Sequence, residues 1–107
     1  MATALTASVL TALRHDFQRG EWSPVTLHFA RQVATAAGLH VTPSIQEALK
    51  RDFRSGEWTT VTMENLGALA RAAHAAFTPG VTSTLAQDFR GGTWSPVTLS
   101  FMRQIAA

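Results

Sequence analysis

The chain has 107 residues, enough for one compact domain and too few for two ordinary ones, and 46% hydrophobic against 15% charged residues supports a packed core rather than a disordered chain. It has no cysteine, which excludes disulfides, thiolate catalysis and cysteine-bound zinc. Nine basic residues face seven acids, and with no tyrosine or cysteine to titrate, the isoelectric point near 10.5 reports missing buffers, not a basic surface. No stretch approaches the roughly 20 apolar residues of a membrane span, and Met1 to Leu13 lacks a basic leader segment, so a cytoplasmic location is expected.

The elements follow a repeat. Asp16-Phe17, Gly20 and Trp22 recur as Asp52-Phe53, Gly56 and Trp58, and again as Asp88-Phe89, Gly92 and Trp94, a period of 36 residues. One domain, 1–107, therefore divides into repeats at about 6–41, 42–77 and 78–107. Each repeat predicts two helices. The first starts after an N-cap threonine, Thr6, Thr42 or Thr78, with Pro43 and Pro79 at the following position, where a missing N–H costs nothing. Val9, Leu13 and Phe17 then recur at i, i+4 and i+8, as do Ile45, Leu49, Phe53 and Val81, Leu85, Phe89, giving each helix one buried face. Gly20, Gly56 and Gly92 suit the left-handed position that ends a helix.

A second helix follows at once, with Ser23, Thr59 or Ser95 as its N-cap. Trp22, Trp58 and Trp94 precede these caps, and Leu27, Met63 and Leu99 fall four residues after them, the spacing of a hydrophobic staple. Three hairpins make an all-α, six-helix domain, either a short α-solenoid or a compact pseudo-three-fold bundle. The open stack is the simpler expectation. In that case its outermost helices expose Leu5, Val9 and Leu10 at one end and Phe101, Met102 and Ile105 at the other, which predicts a homodimer.

The thrice-repeated aspartate is the sharpest chemical candidate, because a carboxylate near a helix C-terminus opposes the dipole and needs a partner. The tryptophan indole N–H or backbone N–H groups at the start of the second helix can supply it. Three carboxylates in separate hairpins would lie about 8 to 10 Å or more apart, too far for a catalytic dyad. His15, His28, His40 and His74 fall at positions that vary between repeats, and no histidine pair, nucleophile elbow or phosphate loop is present. No catalytic site, cofactor or metal is expected.

Binding remains. A protein-interaction or self-assembly module is the leading expectation, with Arg31-Gln32 and Arg103-Gln104 of the outer repeats as a candidate partner contact, replaced by Gly67-Ala68 in the middle repeat. The alternative is nucleic acid, its phosphates held by helix N-termini and by Arg19, Arg54 and Arg90. Glu21 and Glu57 in the same turns oppose it. Arginine over lysine, with abundant alanine, suggests a GC-rich bacterial source.

Overall fold

Local sequence signals set the helix boundaries. In a computed structural model of the protein, which describes residues 5–106, the helices are α1 (Ala7–Arg19), α2 (Pro24–Ala36), α3 (Pro43–Ser55), α4 (Thr60–Ala72), α5 (Pro79–Gly91) and α6 (Pro96–Ala106). Thr6, Thr42 and Thr78 each accept a hydrogen bond at 3.2 Å from the backbone N–H three residues on, satisfying a donor that would otherwise be orphaned. Gly20, Gly56 and Gly92 end α1, α3 and α5 with φ of 77°, 82° and 78°, a region costly to any residue with a Cβ.

Each first helix packs on its own second helix, so the chain forms three hairpins, α1/α2, α3/α4 and α5/α6. The first helices α1, α3 and α5 also pack on one another in all three pairs, and α5 against α1 closes the set. The open stack is thereby excluded. The bundle measures 30 × 29 × 28 Å with a radius of gyration of 12.1 Å, close to the roughly 13 Å of a globular 100-residue domain.

Aromatic rings occupy the pseudo-three-fold axis. The rings of Phe17, Phe53 and Phe89 form a triangle with centroid separations of 4.7, 4.7 and 4.8 Å. Each tryptophan leans on the phenylalanine of its own repeat and stacks on that of the next: Trp22 on Phe53 at 6.1 Å, Trp58 on Phe89 at 5.9 Å, and Trp94 on Phe17 at 5.9 Å. The third stack returns to the first repeat with the same geometry as the other two. Closure follows because three hairpins, related by equal steps about a shared aromatic centre, use up a full turn.

Closure changes the reading of the apolar ends. Phe101, Met102 and Ile105 lie in the chain's own core, and Leu5, Val9 and Leu10 pack against that core while half-buried, so these six residues form no exposed oligomer face. The expected staple differs between repeats: Met63 is 37% exposed while Trp58 fills the space between Phe53 and Phe89, whereas Leu27 and Leu99 are half-buried and Leu99 packs against the core.

Candidate functional site

The repeated turn is the most elaborate polar feature of the fold. In each hairpin the aspartate sits one turn before the glycine that ends the first helix, and the chain reverses in four residues, so the carboxylate faces the start of the second helix. Asp16 Oδ2 accepts the Ser23 backbone N–H at 2.7 Å. Asp52 Oδ2 accepts the Thr59 backbone N–H at 2.7 Å, the Thr59 hydroxyl at 2.6 Å and the Thr62 hydroxyl at 2.7 Å. Asp88 Oδ2 accepts the Ser95 backbone N–H at 2.8 Å and the Thr98 hydroxyl at 2.6 Å. Of the two predicted partners, the backbone N–H is the one used. The Nε1 atoms of Trp22, Trp58 and Trp94 are buried and make no hydrogen bond.

The threonines Thr26, Thr62 and Thr98 are fully buried, and their part in holding the carboxylates escaped the reading of the sequence. The signal was present, because each lies ten residues after its aspartate in every repeat. Thr26 Oγ1 and Ser95 Oγ fall outside hydrogen-bond geometry yet lie near enough to favour the charged carboxylate of their own hairpin. Burial by itself raises the pKa of all three aspartates, but the hydroxyl and amide donors outweigh it and hold them below the usual carboxylate range. His15 Nδ1, 3.7 Å from Asp16 Oδ1, and Arg51 Nε, 3.6 Å from Asp52 Oδ1, act in the same direction. A carboxylate whose pKa is held low is a weak base. Its chemistry is to clamp the two helices of a hairpin.

The other predicted site residues are dispersed. Arg19 pairs with Glu21 at 3.2 Å. Arg54 lies across Gly20, and Arg90 across Gly56, so closely that a Cβ on either glycine would come within 2.7 or 2.9 Å of the arginine Cδ. The side chains of these two arginines thus lie against the glycines that end α1 and α3, where the carbonyl pole of a helix favours a cation. Gln18 takes the same place against Gly92 and donates to the Gly91 carbonyl at 3.3 Å. Arg31, Gln32, Arg103 and Gln104 are exposed on α2 and α6. Their middle-repeat counterpart Gly67 is buried, with the Phe77 ring 3.5 Å from where its Cβ would stand, so packing accounts for loss of the polar pair there.

His15, His28, His40 and His74 are all exposed, and among the described residues no three histidine, aspartate or glutamate side chains gather as metal ligands. No described helix is long and apolar enough to cross a membrane. One surface feature does repeat. Val25, Val61 and Val97, in the first turn of each second helix, are 45%, 43% and 45% exposed. The only other large apolar side chain so exposed among the described residues is Met63.

Fold and turn together define an all-α bundle of three helical hairpins closed about a pseudo-three-fold axis. No protein-family model, curated protein or solved structure matches this chain.

Proposed function

We propose that the chain is a non-enzymatic protein-interaction or self-assembly module, presenting three quasi-equivalent apolar contact points on a rigid bundle. The observation that carries this reading is the register of the exposed valines. The repeated polar chemistry is consumed inside the hairpins, where every aspartate is bound by its own second helix, whereas Val25, Val61 and Val97 leave the same apolar surface in water three times. Exposed apolar groups at matched positions are what a partner buries on docking.

Phosphate binding is the second reading, and one observation favours it. Lys50, Arg51 and Arg54 line a single groove beside Gly20 and Ser55. Lys50 is engaged by Glu47 at 2.9 Å and Arg51 lies beside buried Asp52, which leaves Arg54, packed against Gly20, as the groove's cation without an acidic partner and ranks this reading below the first.

Affinity capture with the parent and with a Val25→Asp, Val61→Asp, Val97→Asp triple variant of unchanged melting temperature tests the proposal. A partner retained by the parent and lost by the variant is the expected result. Sub-micromolar nucleic-acid binding that weakens steeply with salt and vanishes on changing Arg54 and Lys50 to alanine would replace it with the phosphate reading.

A further inference from the structure

The third hairpin is joined to the first by packing alone, although this interface is equivalent to the two that the chain connects in sequence. Trp94 stacks on Phe17 as Trp22 and Trp58 stack at the other two junctions, and Gln18 lies against Gly92, where it bonds the Gly91 carbonyl, as the side chains of Arg54 and Arg90 lie against Gly20 and Gly56. A second copy of the chain presents an identical surface. Whether repeat 3 closes on its own repeat 1 or on that of another chain depends on the linker that carries it.

The two linkers differ in a telling way. After α2 the chain turns through Gly38 at φ 75°, and the Leu39 N–H bonds the Ala34 carbonyl at 2.8 Å. After α4 the same turn is made, with the Ala75 N–H on the Ala70 carbonyl at 2.8 Å, but the left-handed residue is His74, at φ 56°. It is the one described residue other than glycine with positive φ. The surrounding sequence, Ala70-Arg71-Ala72-Ala73-His74-Ala75-Ala76, is rich in the strongest helix former, whereas the first linker has glycine and the β-branched Val41. Local preference and observed turn therefore conflict in the second linker only. The turn is held by packing, with Ala75 and Phe77 against the core and Phe77 also beside Phe101 at 6.0 Å.

We infer that residues 73–78 form a hinge whose alternative is a continuation of α4 through His74, and that in this state repeat 3 docks on a second copy, giving a hairpin-exchanged dimer. Continuation relieves the left-handed strain at His74 and adds a turn of helix. It also carries α5 and α6 away from Phe17, and only another chain's α5/α6 then refills that place. Each bundle of the dimer keeps the axial phenylalanine and tryptophan contacts, so the two states differ chiefly in the hinge, where continued helix is set against the packing of Ala75 and Phe77. The inference rests on the self-assembly side of the proposed function, names the partner as this same chain, and uses none of the exposed valines.

The test is refolding of the full chain from denaturant at low and at high protein concentration, read by size-exclusion chromatography with light scattering. The parent is expected to give a dimer fraction that grows with concentration and persists on dilution until the protein is warmed toward unfolding. His74→Gly, which suits the turn, lowers the dimer-to-monomer ratio by on the order of fivefold per hinge, and His74→Ala, which suits the helix, raises it. Position 74 is exposed and alanine there meets the same backbone strain as histidine, so both variants are expected to fold, which their thermal melts check. Monomer alone in all three proteins, a dimer that dissociates at once on dilution, or a dimer fraction indifferent to residue 74 would overturn the inference. The valine triple variant separates the two ideas, because it abolishes partner capture and leaves exchange unchanged.

Discussion

At the scale of single residues, one carboxylate oxygen organises each hairpin, and the three copies differ in how many donors reach it. Asp52 Oδ2 collects three hydrogen bonds, Asp88 Oδ2 two and Asp16 Oδ2 one. Hydrogen bonds to a charged group contribute more than neutral ones, so Asp52→Asn should destabilise by about 2 kcal/mol, and Asp16→Asn by less. Urea denaturation of the two variants checks the order. The same donors predict the pH dependence. The folded pKa values lie below the ordinary aspartate value, so the native state binds fewer protons than the unfolded chain as pH falls through that region. The stabilisation is therefore complete above the unfolded pKa and is lost as pH drops from about 4 through the folded values. Denaturation midpoints should be flat from pH 7 to pH 5 and fall below pH 4. Asp52→Asn should make that fall shallower.

At the scale of the helix pair, the tryptophan joins hairpins as well as folding back on its own. Trp58 stands between Phe53 and Phe89, whereas Met63, its expected staple partner, is 37% exposed. Trp58→Ala should cost about 3 to 5 kcal/mol, in the range for large aromatic deletions, and Met63→Ala less than about 1 kcal/mol. Comparable losses in thermal melts of the two variants would restore the staple. The glycine turns bear on the same junctions. At Gly56 an added methyl meets both a left-handed backbone and the Arg90 side chain, whose flexible end can move aside, so Gly56→Ala should destabilise by about 1 to 2 kcal/mol through its backbone.

At the scale of the whole molecule, ring closure makes the three repeats energetically alike. In an open array the middle phenylalanine would have neighbours on both sides and the outer ones on a single side. Here Phe17, Phe53 and Phe89 are each buried and each touch the other two. Phe17→Ala, Phe53→Ala and Phe89→Ala should therefore cost about 3 to 5 kcal/mol apiece, with differences within about 1 kcal/mol. Chemical denaturation of the three variants measures this, and a middle variant far less stable than the outer two would count against closure. The repeats differ around a core pocket of about 40 Å³ bordered by Ala30 and Asn65, where the other repeats carry Leu66 and Met102 and the aromatic Phe29 and Phe101. Ala30→Val should raise stability by about 1 kcal/mol by filling it, as a shift of the same denaturation midpoint would show.

The sequence by itself determined the six helices, their caps and their turns, because these depend on contacts between residues close in the chain. Thr6, Thr42 and Thr78 cap where they stand, and Gly20, Gly56 and Gly92 supply the backbone that each stop requires. It also narrowed the partner of the repeated aspartate to two choices, one of which the turn uses through Ser23, Thr59 and Ser95. Tertiary structure decided the rest. Whether Trp94 finds Phe17 depends on the angle accumulated over three hairpins, a sum of small rotations that no local pattern encodes. The same sum buried Phe101, Met102 and Ile105, placed Arg54 and Arg90 on glycine turns of neighbouring repeats, and left Val25, Val61 and Val97 in water.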